Sequence, residues 1–240
     1  MKQIEQRVAI LLINYGSFIR AVNNTVQAYI NGEQALSNIN KAGLNLALEQ
    51  IALDHYSVFD SIITRDVETV ARSALDASRV STPITTRFED ADALVRLQDE
   101  LESISRAQYQ TLIERDIQTI IQAYGVSAWH MSKLVAAGSL KANAFVAAKK
   151  MLEKHTGLFV DRAGRQWNGD RYIEVTLGYN LYRAWNETTI YSAIVQDLPS
   201  LFLNGEDGSK EEISLADIDK AMVTLDERLH VGSKRWLTVN

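Results

Sequence analysis

The chain has 240 residues, 46% of them hydrophobic, with a formal net charge of −5, two prolines and no cysteine. That length suits one domain or two small ones, and the apolar fraction excludes global disorder. The missing cysteines exclude disulfides and thiolate metal sites, and the acidic chain shows no Lys/Arg block of the kind a duplex-DNA reader carries, which leaves a basic face only to assembly by folding.

No window approaches the roughly 20 apolar residues of a membrane-spanning helix. The apolar run from Val8 to Ile13 follows acidic Glu5 and is too short for a secretory signal. A protein off the membrane, without classical export, is expected. Proline breaks helices, so the rarity of Pro83 and Pro199 permits long ones.

Residues 1–31 predict the first helix. Ile4, Val8, Leu11, Tyr15, Phe18 and Val22 form a heptad-like seam that continues through Val26 and Tyr29. Asn31-Gly32 is the stop. Such a stripe reads as the core face of a bundle or as a surface that pairs with another subunit. Residues 33–79 predict one or two helices. Leu44, Leu48, Ile51 and Leu53 offer one face; Val58, Phe59, Ile62, Ile63, Val67 and Val70 offer another, with a bend at Asp54-His55. His55 reads as a helix-end residue, since no second histidine stands three or four positions away to complete a metal face. A loop is expected at residues 81–86, where Pro83 disfavours helix at Thr82.

Residues 88–124 predict a long helix with a seam of Leu94, Leu97, Leu101 and Ile104. Gln108 interrupts it, and a phase-shifted stripe resumes at Tyr109, Ile113, Ile117, Ile120 and Tyr124. Gly125 is read as its end. Residues 126–155 predict two further helical pieces, broken near Gly138-Ser139. Lys149, Lys150, Lys154 and His155 crowd the end of the second piece. There they suit the helix dipole; a phosphate contact is the alternative.

Residues 157–195 are more distinctive. Leu158, Phe159 and Val160 meet a tight turn at Asp161-Arg162-Ala163-Gly164, and the chain returns through Arg165 and Gln166 to Trp167. Asp161 suits a turn through bonds from its amides, and Gly164 tolerates positive φ. Trp167 is placed to pin the hairpin on the helix that follows, and Asp170 to cap that helix. Tyr172, Val175, Leu177, Tyr179, Leu181, Tyr182, Trp185, Ile190, Tyr191 and Ile194 then surround a helix expected to be buried on several sides or to meet a partner. Tyr179, Tyr182 and Trp185, with Trp236 in the tail, are the candidate interface residues, because aromatic side chains anchor interfaces. Beyond Pro199, Leu201-Phe202-Leu203 suggests an edge strand. Residues 204–208 form a turn without the ligand spacing of a calcium loop. Ser214 to Asp217 opens a last helix as a capping-box variant, with Ile218, Met222, Leu225 and Leu229 as its stripe and Gly232 as its end. Residues 234–240 read as a docking arm or a terminal strand.

The expected fold is therefore mainly α. It consists of long antiparallel helices, as a bundle or an extended hairpin, with a small β-hairpin near residues 158–167. The expected regions are 1–80 (N-terminal helices), 88–156 (a long helical hairpin) and 157–240 (hairpin plus helix). No phosphate loop, dinucleotide fingerprint, HExxH or nucleophile elbow occurs. Asp217 and Asp219 face different sides of a helix. No catalytic residue, metal ligand or cofactor is assigned, and the chain is not expected to be an enzyme.

The residues Asp161, Ala163, Gly164, Arg165, Trp167, Tyr172 and Glu174 resemble, in type and spacing, a pattern in the minor head proteins of tailed bacteriophages. In that family a long helical part precedes a D-x-A-G-R-x-W hairpin, and a helix then opens with Tyr and an acidic residue two positions on. The close match covers about twenty residues, and the general layout residues 88–195. The family often carries an Arg-Thr pair along the helix, where this chain has Gly178-Tyr179. The resemblance implies a low-copy virion component, made in the host cytoplasm. It would associate with the portal or other capsid proteins in an assembly, and act in head assembly or DNA delivery through binding. Any DNA contact would be weak and salt-sensitive. A helical coiled-coil scaffold or adaptor outside any particle is the alternative, and an enzyme with a site assembled by folding is a third.

Overall fold

The structure, a computed structural model, describes residues 1–31, 38–78, 92–153, 158–160 and 166–239. Three long helices come first: α1 (Lys2–Asn31), α2 (Asn38–Ala77) and α3 (Asp92–Ala136). They are followed by α4 (Lys141–Glu153), strands β1 (Leu158–Val160) and β2 (Gln166–Asn168) and a short α5 (Gly169–Tyr172). A π-turn (Ile173–Leu177) leads into α6 (Gly178–Val195). Strands β3 (Ser200–Asn204) and β4 (Lys210–Ser214), α7 (Ile218–Arg228) and β5 (Trp236–Thr238) complete the chain. The fold is mainly helical, with the expected hairpin at β1–β2 and a three-stranded antiparallel sheet of order β4-β3-β5.

The chain divides into two compact units. One comprises residues 1–11, 60–108 and 173–240; the other, residues 12–59 and 109–172. In the first unit, α1 and α2 run antiparallel, since Gln3 bonds Ser73 and Arg7 bonds Asp66. The second half of α2 and the first part of α3 oppose each other in the same way: Thr64 meets Glu102, and Arg106 pairs with Asp60. Leu201, Leu203, Ile213 and Leu237 of the sheet pack with Ile190 and Ala193 of α6 and Ala221 and Leu225 of α7. In the second unit, Phe18 of α1 meets His55 of α2 edge-on, and Phe59 of α2 stacks on Tyr109 of α3 at 3.8 Å and 4°.

The α1 seam is a core stripe: Ile4, Leu11, Tyr15, Phe18, Val22, Val26 and Ile30 are buried. Helix α2 runs unbroken through Asp54-His55. Its two expected faces are one stripe, Leu44, Leu48, Ala52, Phe59, Ile63, Val67, Val70 and Ala74, with His55 in phase within it. Neither Gly nor Pro stands there to stop the helix, so His55 is a mid-helix residue, and Leu53 and Val58 point outward. The loop expected at residues 81–86 lies outside the described residues.

Helix α3 continues through Gly125 to Ala136. An interior glycine costs a helix about 1 kcal/mol, but the buried stripe persists past it at Ser127 and Ala128. A Cβ at Gly125 would stand 3.0 Å from the Lys41 amine. The α3 stripe resumes past Gln108 as expected, with Tyr109, Ile113, Ile117, Ile120 and Tyr124 buried. Leu101, Ser105, Leu112 and Asp116 are buried as well, with polar members where partners need them. The break at Gly138 is as expected, with φ +88°.

Three further expectations in the C-terminal region are corrected. Strand β3 is central, not an edge, because β5 pairs with its free side. Asp217, not Ser214, caps α7 by accepting from the Lys220 amide at 3.1 Å. Helix α7 ends at Arg228, ahead of Gly232.

Candidate functional site

In the second unit the hairpin pairs Leu158 with Asn168, Phe159 with Trp167 and Val160 with Gln166. Asp161, Ala163, Gly164 and Arg165 lie outside the described residues, as do Lys154 and His155 and the packing expected of Trp167. Asn168, the last residue of β2, accepts from the Arg171 amide at 2.7 Å. It supplies the cap expected of Asp170, two positions early, because its side chain reaches the third amide of the helix. Asp170 and Arg171 are exposed; Tyr172 is half-buried.

Gly169 sits against Tyr15 of α1, and a Cβ there would overlap the Tyr15 ring and hydroxyl. The Tyr15 hydroxyl donates to Asp116 Oδ2 at 2.6 Å, and the neighbouring Asn14 donates to the Tyr109 hydroxyl at 3.0 Å. Burial raises the Tyr15 phenol strongly; the Asp116 charge, the bond to it and the Asp170 charge add to the rise. Asp116 is only 4% exposed. Burial pushes its carboxyl up to about 6, against the opposing pull of the Tyr15 bond. This cluster was not singled out from the sequence. The available clue was a carboxylate in phase with an apolar stripe.

A consequence for pH follows. Between the unfolded carboxylate value of about 3.9 and the folded value, the native state holds a proton that the unfolded chain has lost. Asp116 therefore contributes a loss of stability as pH rises from about 4 to about 6, on the order of 2 kcal/mol. Burial lowers the His55 imidazole, which acts in the opposite sense as pH falls. The difference in thermal midpoint between the parent and Asp116→Asn isolates the effect. That difference should change across this window; a constant one would show that Asp116 does not titrate there.

In the first unit, the π-turn carries Glu174, and α6 carries the candidates Tyr179, Tyr182 and Trp185. Glu174 is exposed in the π-turn, whose Ile173 and Leu177 are buried. Ile173, Leu177 and Leu181 are buried, four positions apart on one helical face. Gly178, where the family carries another residue type, would bring a Cβ to 3.3 Å from Val8 of α1, so a small residue serves close packing here.

Helix α6 is buried around much of its circumference and held by amides. Asn180, 2% exposed, donates to Ser105 and to Gln108, both at 2.8 Å. That contact accounts for the polar step in the α3 seam. Asn186 donates to the Arg235 carbonyl at 3.1 Å and accepts from the Leu237 amide at 2.9 Å. One side-chain amide thereby imitates a neighbouring strand and satisfies β5. Trp185 adds a bond from its indole N–H to the Leu237 carbonyl at 2.8 Å.

Of the four candidate interface residues, Tyr182 is 5% exposed and offers no face to a partner. Trp185 and Trp236 are half-buried, Trp236 within β5, so the tail is a terminal strand rather than a free arm. Tyr179 is half-buried, donates to the Leu229 carbonyl at 3.1 Å and borders a groove between α6 and α7. Among the described residues, no cluster of three or more His, Asp or Glu could hold a metal ion, and no helix is long and apolar enough to cross a membrane.

No protein-family model, curated protein or solved structure matches this chain.

Proposed function

We propose that the chain is a structural protein that acts by holding other proteins, as a low-copy component at the portal or inner head of a tailed bacteriophage. The observation that carries this reading is the order of elements around the hairpin. Long helices come first, an antiparallel β1–β2 pair follows, and the next helical segment bears Tyr172 and Glu174. That order and those residues are the layout the resemblance implies. Its mechanism is association rather than turnover, and contact with DNA is weak and lost as salt rises, in keeping with the net charge of −5.

A helical adaptor outside any particle is the second reading. It is favoured by Leu46 and Leu53, exposed seven positions apart on α2, and by exposed Trp129 with the Lys133 amine 4.2 Å from its ring centroid. Mass spectrometry of gradient-purified particles from the source virus separates the two. The chain is expected in the particles at fewer copies than the shell protein. Recovery only in the particle-free lysate would sink the virion assignment and leave the adaptor.

A further inference from the structure

In the first unit, α6 and α7 leave a groove of about 520 Å³ between them, within the size range of sites that seat a compact ligand or a few side chains. Its apolar lining includes Ile190, Ile194, Met222 and Leu225, and the rings of Tyr179 and Tyr191 border it. The charge along it is one-sided. Arg183 is already matched twice, by Glu187 at 2.6 Å and Glu100 at 3.2 Å. Asp226 also lines the groove and pairs with no cation among the described residues. The groove itself is thus lined by two carboxylates, Glu187 and Asp226, and by one guanidinium that Glu187 and Glu100 already engage. Burial raises the Tyr179 phenol, Arg183 opposes this, and the Glu187 and Asp226 charges add to the rise, so both carboxylates bear on the ring.

We propose that this groove seats a segment of a partner protein that presents an arginine or lysine beside apolar side chains. The apolar residues lie against Ile194, Met222 and the ring of Tyr191, and the cation reaches Asp226 across the Tyr179 ring. Aromatic faces and carboxylates attract the same cation, and an apolar trough accepts the apolar stripe of a helix. The site rests on the reading of the chain as a holder of other proteins. It assigns that role to one surface and one partner chemistry.

The test uses the full chain with ¹³C-methyl methionine, the Met222 resonance being assigned through Met222→Leu. The probe is a capped helical peptide with two leucines one turn apart and an arginine on the same face. A second peptide carries citrulline, the neutral isostere, at the arginine position. The Met222 methyl should shift and saturate with the arginine peptide, and the citrulline peptide should bind about fivefold more weakly. Asp226→Asn should weaken the arginine peptide by about the same factor and leave the citrulline peptide unchanged.

A motionless Met222 methyl, equal affinity for both peptides, or an Asp226→Asn variant that discriminates as before would each overturn the proposal. So would a Met222 shift that follows protein concentration without peptide, since a second copy would then fill the groove. A silent groove in a chain found in particles sinks this site alone. An intact arginine response in a chain absent from particles sinks only the virion assignment.

Discussion

Gly169→Ala is expected to destabilise the second unit by about 4 kcal/mol, the sum of an overpacking cost and a lost bond to a buried carboxyl. The new Cβ would occupy the space of the Tyr15 hydroxyl and the adjoining ring atoms. Tyr15 cannot swing aside cheaply. It is buried, its ring lies 6.1 Å from Phe18, and its hydroxyl is committed to Asp116. Either Tyr15 gives up that bond, leaving Asp116 buried without it, or α5 shifts and strains the Asn168 cap. Urea unfolding measures the loss. Tyr15→Phe keeps the ring but removes the hydroxyl, so combining it with Gly169→Ala should cost clearly less than the sum of the two changes. Strict additivity, or a Gly169→Ala loss below about 1 kcal/mol, would mean that helix entry does not depend on this contact.

Arg7→Met should cost the first unit about 3 kcal/mol at neutral pH, the scale for stripping a buried charge of its partner. Asp66 has no exposed side-chain surface, and its Oδ1 accepts from Arg7 at 2.8 Å and from Arg65 at 3.3 Å. Its Oδ2 is buried without a hydrogen-bond partner among the described residues. Burial raises the Asp66 carboxyl even with both arginines present, each of which lowers it. Removing Arg7 raises it further. The folded variant then takes up a proton at pH values where the unfolded chain, with its carboxylate near 3.9, does not. The deficit is therefore full above the raised folded value and shrinks as pH falls toward the unfolded one. Unfolding at a series of pH values reads this directly. A deficit that does not change with pH would show that lost packing of the Arg7 stem, and not an uncompensated charge, is responsible.

Both variants act through groups whose importance was hard to read from the chain. The long helices were legible because each writes its apolar stripe every three to four residues, a local pattern that needs no knowledge of what lies opposite. The turn at Gly138 was legible for the same reason, since glycine relieves the same backbone strain in any context. The hairpin could be read because the apolar run Leu158-Phe159-Val160 meets turn-forming residues before the chain returns to Trp167.

The errors have one cause. Asp54-His55 and Gly125 each look like a helix boundary in a local reading, yet the helices pass through both. Gln108 is accommodated by the amide of Asn180, 72 positions away. Likewise, Asp116 in its apolar stripe is met by Tyr15, 101 positions away. The capping of α5 by Asn168 rather than Asp170 depends on where β2 ends. The central place of β3 depends on a tail strand that returns to pair Phe202 with Thr238 and Asn204 with Trp236.

By itself, then, the amino-acid order determined the helical class, most of the helices and the hairpin, because backbone propensity and apolar periodicity are short-range. Only the tertiary structure decided which polar residues inside those stripes are satisfied, which aromatics of α6 are buried and which border a groove. Those outcomes depend on desolvation and on hydrogen bonds between residues far apart in the chain, and neither leaves a mark on local sequence.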